Sequence, residues 1–246
     1  MTAVFITCHS ILELDARHPL TARVLLDAQA MHRLIMSGFY GWLENGSNDA
    51  RAQLQVLYTA NADLKAGKLT VVVQSRVQPD WSKIPSAALA ESPAALLIDQ
   101  KIETGQQYRF RAVVNPTRMS DRHQRPGTEP RPDGKRELKR LADTTPDHAR
   151  RWFAERLQPP GEPAVNDRGV RRIGAYADPA GLAARILPKI TNVPDKPSMR
   201  IGRAEIRGQF TITDPDVFVN VLTTGLGHAR AYGCGLILIK PVARSD

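Results

Sequence analysis

The stretch GLGHARAYGCGLILIKP, residues 225–241, joins a glycine-studded cationic turn to an unbroken apolar run. Leu236 to Lys240 reads as a closing strand, and Gly225, Gly227, Gly233 and Gly235 strip side chains from the turn before it. Backbone N–H groups without Cβ neighbours can approach an anion closely, and Arg230 sets a charge beside them. The turn therefore reads either as an anion cradle on a rigid strand or as a flexible connection into the core. Upstream of it, Asp214-Pro215 marks a helix start running through Leu222, and Ile201 to Thr213 reads as a further strand.

The opposite end of the chain is more regular. Ala3 to Thr7 reads as a buried strand, and from Pro19 to Trp42 the residues Leu20, Val24, Met31, Ile35, Gly38 and Trp42 recur at helical steps. That spacing predicts one amphipathic helix. Gln53 to Thr59 and Leu69 to Arg76 read as a hairpin, Pro79 to Asp99 predicts a short helix, and Gln107 to Asn115 reads as a strand that Pro116 ends. The order β-α-β-β-α-β is the ferredoxin-like pattern. Residues 116–136 interleave Pro116, Pro126, Pro130 and Pro132 with Arg118, Arg122, Arg125, Arg131, Lys135 and Arg136, the composition of a basic linker or loop. Beyond it, Thr145-Pro146-Asp147 opens a helix expected to reach about Gln158, the first element of a second, less regular α+β unit.

At 246 residues, 42% apolar and 24% charged, the chain can bury a substantial core. Its net charge of +9 is uneven: residues 1–100 carry 8 Lys/Arg against 9 Asp/Glu, and residues 101–246 carry 26 against 16. A basic half of this kind is the footprint of a nucleic-acid partner, because neutralised phosphates release counterions. The two cysteines, Cys8 and Cys234, indicate neither a disulfide framework nor a zinc site. No apolar run reaches membrane-spanning length and no signal-peptide pattern opens the chain, so the expected location is the cytoplasm, with no membrane partner.

Among six histidines, His32 stands out, since it lies about 100° around its helix from the apolar stripe. An imidazole at the edge of such a stripe suits proton transfer near neutrality, and equally a boundary hydrogen bond. His228 lies in the glycine turn, and His148 in the first turn of a helix. No HExxH, paired CxxC or GK[ST] motif is present, so neither a metal nor a small-molecule cofactor is expected.

Taken in order, MHRLIMSGF (31–39), QPDW (78–81), YRFRAVVNPTR (108–118), GKR (134–136), the helix with Trp152 and the terminal glycine stretch resemble the CasE family of type I-E CRISPR systems. The resemblance implies an α+β fold of two tandem ferredoxin-like, RNA-recognition-motif-like domains, here 1–115 and 137–246 joined by the linker 116–136. It also implies an endoribonuclease that binds the hairpin of a CRISPR repeat, cuts precursor RNA on the 3′ side of the stem, stays on its product and joins the other Cascade subunits. The family's histidine falls on His32 and its glycine-rich loop on Gly225 to Gly235. Members often carry a tyrosine three residues before that histidine, and some a lysine five after it; this chain has Gln29 and Ser37. Gln29 can hydrogen-bond but cannot exchange a proton near neutrality.

The expected catalytic set is accordingly His32 with Gln29 and Arg33. RNA contacts are expected from Arg185, Lys189, Arg200, Arg203, Arg207, Gly225, Gly227, His228, Arg230 and Gly233. Two other classes compete with a nuclease: a non-catalytic RNA-binding subunit, which needs no His32, and a small-molecule enzyme binding a nucleotide on the turn. The turn precedes a strand, whereas nucleotide loops usually open a helix.

Overall fold

Period-two alternation builds the first strand, β1 (Thr2–Asp15), in a computed structural model that describes residues 1–42, 49–63, 65–120, 139–142, 145–191 and 200–243. Leu12 and Leu14 are buried on one of its faces and Phe5 on the other, because successive side chains point to opposite sides of a sheet. Two helices follow, α1 (Pro19–Leu26) and α2 (Ala28–Ser37), where the apolar spacing predicted one. Asp27 divides them. Its backbone is extended and its carboxylate accepts hydrogen bonds from the Gln29 and Ala30 N–H groups, so a capping residue overrides the periodicity.

A short helix, α3 (Ala50–Gln53), leads into the hairpin of β2 (Leu57–Asp63) and β3 (Lys68–Ser75), which begins four residues later than the sequence suggested. The helix expected within Pro79 to Asp99 is only a 3-10 turn at Ser86–Ala88; the rest is a long strand, β4 (Leu89–Glu103). Pro93 is tolerated there because β4 is an edge strand and the proline falls in a register shift opposite Leu12. The antiparallel sheet runs β2-β3-β1-β4, the ferredoxin-like order with the second helix reduced to a turn.

The second unit contains β5 (Gln107–Val114), β6 (Thr117–Ser120), β7 (Lys139–Ala142), α4 (Pro146–Ala154), β8 (Ala175–Tyr176), β9 (Ala183–Ile190), β10 (Ile201–Ile212), α5 (Pro215–Thr224) and β11 (Ile237–Pro241). Its sheet runs β11-β5-β10-β8, with β9 also paired to β10. Strand β5, read from sequence as the close of the first unit, thus opens the second; β4 already occupies the free side of β1, and Phe110, Ala112 and Val114 of β5 belong to the second core. Strands β6 and β7 pair with each other across residues 121–138, so the basic segment is entered and left through a ladder; Arg122, His123, Arg125, Arg131, Lys135 and Arg136 lie outside the described residues. Thr145 and Asp214 cap α4 and α5 as expected, although α4 stops at Ala154. Gln158 beyond it turns inward, its N–H donating to the Ala175 carbonyl and its Oε1 accepting from Gly174.

The second core is built on stacked rings: Phe110 lies 5.1 Å from Phe153 and 4.7 Å from Phe210, and Phe210 meets Phe218 edge-on at 5.2 Å. Phe5 and Ile102 of the first sheet enter this same core, and α5 packs on β1. Gln74 completes the joint, its Nε2 donating to the Leu222 carbonyl at 2.7 Å. The two sheets are therefore packed as one body around α5.

Gly38 has no room for a Cβ, which would fall on the buried Trp81 ring, and its carbonyl accepts from the Asp80 N–H. Gly38→Ala is expected to cost about 1–3 kcal/mol by overpacking. Urea unfolding measures it, and an unchanged midpoint contradicts the packing described.

Candidate active site and nucleic-acid interface

The glycine turn is seated on the first unit. The N–H groups of Gly225, Leu226 and Gly235 donate to the carbonyls of Val221, Gly235 and Val113, so these three donors serve the fold and not an anion, which corrects the cradle reading at those positions. The glycines make room instead. A Cβ on Gly225 would stand 2.7 Å from the Leu57 side chain, one on Gly227 3.0 Å from Trp152, and one on Gly233 3.0 Å from the Tyr58 ring. At Gly225 and Gly235 the missing Cβ atoms also clear a path for the aliphatic stem of Arg230, at 3.1 and 3.0 Å. All four glycines have positive φ, from 75° to 94°, a region that other residues enter only with strain.

Two anchors fix the turn to the first unit: Tyr58 Oη donates to the Ala231 carbonyl at 3.0 Å, and α2 packs against Arg230–Tyr232. Burial pushes the Tyr58 hydroxyl far above its ordinary pKa, so it remains a donor. Arg230 itself donates through Nη1 to the Thr224 carbonyl at 2.6 Å.

His32 lies on α2, half-buried, as its place at the rim of the stripe suggested. Burial lowers its pKa below the ordinary 6.5, and the positive charges of Arg51 and Arg33 lower it further. The imidazole is therefore neutral at pH 7. Gln29 stands one turn earlier on the same face. Arg33 is 55% exposed and reaches back to Asp27 at 3.6 Å, so its charge is shared with the helix cap. Ser37 donates to the Leu34 carbonyl at 2.7 Å and brings no charge. Arg51, which no sequence pattern singled out, is only 17% exposed; Nη1 donates to the Val56 carbonyl at 3.2 Å and Nη2 is 3.9 Å from Asp49.

A cleft of about 530 Å³ opens between the units beside the turn, with Ala28 and Met31 of α2 in its wall. Arg185, Lys189, Arg203 and Gly233, all expected to meet RNA, line it together with Arg111 and Tyr232, which sequence reasoning missed. Arg207 lies on the same sheet face, and Arg200 sits just before β10, with Nη1 3.4 Å from the Thr191 carbonyl. Glu205 organises this face. Only 3% exposed, it binds Arg111 at 2.6 Å, Arg207 at 2.8 Å and Arg185 at 3.3 Å. Burial pushes its carboxyl up, and the hydrogen bonds from Arg111 and Arg207 more than reverse this, holding it ionised. His228 and the backbone of Gly227 lie in the same turn as Arg230. Among the described residues, no three His, Cys, Asp or Glu side chains gather as a metal site, and no helix is long and apolar enough to cross a membrane.

Arginines from both units and a basic cleft thus surround a half-buried histidine on a doubled ferredoxin-like frame. The family of CRISPR-associated proteins matches residues 9–241. The chain belongs to that family. Solved structures share its fold over nearly its whole length. Thermus thermophilus Cse3, bound to an RNA representing a pre-cleavage complex, is 21% identical, with 96% of this chain and all of that one covered and a TM-score of 0.66. A CRISPR endoribonuclease Cse3 bound to a 19-nucleotide RNA is 20% identical, with 97% and 100% covered and a TM-score of 0.65. Cas6e from Escherichia coli K-12 is 16% identical, with 96% and 100% covered and a TM-score of 0.61. No curated protein matches the chain.

Removing the Glu205 charge strands three guanidiniums around a buried site. Glu205→Gln is expected to lose about 3 kcal/mol at pH 7, the low end for breaking a buried ion pair because Arg185 and Arg207 stay largely exposed. Since the folded pKa is depressed, the wild-type advantage is full above 4.5 and shrinks as pH falls through the folded value. Chemical denaturation at several pH values checks both; a deficit that persists unchanged in acid contradicts the assignment.

Proposed function

We propose that the chain is a metal-independent endoribonuclease that cuts precursor CRISPR RNA on the 3′ side of the repeat hairpin, stays bound to the product and acts among the other subunits of Cascade. The observation that carries this reading is the seating of the Arg230 turn against the helix that bears the half-buried His32. Family membership and the fold shared with RNA-bound Cse3 support it.

RNA brings its own nucleophile. The 2′-hydroxyl stands beside the scissile phosphate, so the protein need only orient it, take its proton and balance charge. In our reading His32 takes that proton, the 2′-oxygen bonds to phosphorus, and the bond from phosphorus to the 5′-oxygen breaks. The products are a cyclic phosphate end and a 5′-hydroxyl end, the leaving oxygen taking its proton from water. Gln29, on the same helix face, orients the hydroxyl by a hydrogen bond. Arg185, Lys189, Arg200, Arg203 and Arg207 hold RNA phosphates, and the glycines at 225, 227 and 233 shape the turn that presents Arg230 and His228. We place the division between the two units at the 104–106 turn, with β5 in the RNA-binding unit. A non-catalytic RNA-binding subunit would use the same cationic face and leave His32 idle.

Incubating the protein with a labelled repeat hairpin in EDTA separates the two readings: site-specific cutting is expected, and bound but intact RNA contradicts the nuclease. His32→Ala should abolish cutting with hairpin affinity little changed. Affinity should fall by about 0.7 to 0.9 log units per log unit of salt for each phosphate contact. With His32 as base, kcat/KM should fall as pH drops through its pKa, below 6.5. A rate that instead rises with acid overturns the base assignment.

A further inference from the structure

The charges around His32 leave one anion missing. Gln29 and Ser37 are neutral, and Arg33 is turned toward Asp27 on its own helix. Arg51, from α3, lies close enough to both His32 and Arg230 for their charges to interact, and its acidic neighbour Asp49 is 69% exposed and 3.9 Å away. Arg230 arrives from the other unit and, among the described residues, pairs with no carboxylate. Each guanidinium is tethered to a backbone carbonyl through a single nitrogen, Arg51 to Val56 and Arg230 to Thr224. Each has further N–H donors in a fixed fork. Arg51 is held by Val56 at the entry to β2, and the Arg230 stem by the spaces at Gly225 and Gly235. Two like charges, rigidly mounted, partly desolvated and short of counter-charge, make a site that an anion would stabilise.

We propose that Arg51 and Arg230, one from each unit, form a split binding site for the scissile phosphodiester beside His32. This rests on the reading of His32 as the group that takes the proton. Arg51, and not Arg33, is then the first unit's phosphate ligand, and the docking of the turn assembles the site. Negative charge accumulating on the phosphate oxygens during attack falls between the two forks. The same arrangement couples binding to proton affinity: before RNA arrives, burial first and then the charges of Arg51 and Arg33 lower the basicity of His32, and the incoming phosphate offsets the two charges and raises it.

The test uses the full-length protein, Arg51→Ala, Arg51→Lys, Arg230→Ala and the double alanine variant. Single-turnover cutting is followed on a repeat hairpin, and the His32 pKa by NMR with and without the same hairpin carrying 2′-deoxyribose at the cut. Each alanine change should slow cutting by about 100-fold or more, as loss of a transition-state donor does, while binding of the deoxy hairpin weakens only by the one lost phosphate contact, its salt slope falling by about 0.7 to 0.9. The double variant should lose less than the product of the two, since both act on one phosphate. In the free protein Arg51→Ala should raise the His32 pKa part of the way to 6.5, while Arg51→Lys keeps it low and recovers part of the rate. The deoxy hairpin should raise the His32 pKa in the wild type and much less in the double variant.

Cutting by Arg51→Ala at the wild-type rate overturns the proposal. So does a slow Arg51→Ala whose His32 pKa is unmoved and which lysine does not rescue, the signature of a strut for β2. If the wild type itself does not cut, the nuclease reading fails, and the pKa response to the deoxy hairpin still decides the phosphate site.

Discussion

The contact on which the rest depends is the seating of the 225–235 turn against the first unit. Tyr58 donates to Ala231, α2 lies on Arg230–Tyr232, Gly225 and Gly233 give way to Leu57 and Tyr58, and Gly235 clears the Arg230 stem. Without that fit, the helix with His32 and the turn with Arg230 would belong to two separate folds. With it, they form one electrostatic environment. The shared core around α5, with Phe5 and Ile102 packed among the rings of the second unit, makes the seating rigid.

Charge then follows from geometry. On the cleft side, a single buried carboxylate, Glu205, holds three guanidiniums in a fan across the second sheet, which turns an otherwise self-repelling surface into an ordered cationic face. On the His32 side no such carboxylate is present among the described residues, and the imidazole is pushed toward its neutral form. In the proposed reaction the two faces would divide the work, one holding phosphates along a strand and the other serving a single ribose.

Much of this was legible in the sequence where one residue decides local structure. Thr145 and Asp214 announce their helices through a capping oxygen followed by proline, and Leu236 to Lys240 announces a strand by unbroken apolar character. Asp27 carried the capping oxygen without the proline, and the helical period ran through it and masked the break. Strand β4 was hidden because AESPAA has little strand propensity; its pairing comes from the open edge of β1, a tertiary cause. The reassignment of β5 to the second sheet has the same origin, since alternation shows that a strand exists but not which partner it takes. The half-buried placement of His32 could be read from its position beside an apolar stripe. The surroundings of Arg51, Arg111 and Glu205 could not, because they are tertiary: Arg51 meets Arg230 of the other unit, and Arg111 meets Glu205 94 residues further on.

The most direct test of the central claim is a crystal structure of the protein with a repeat hairpin carrying 2′-deoxyribose at the scissile nucleotide. The account requires the scissile phosphate at the junction of α2 and the 225–235 turn, with the His32 imidazole within hydrogen-bond reach of the 2′ position. A hairpin whose scissile phosphate lies on another face, with His32 turned away from the RNA, would contradict it.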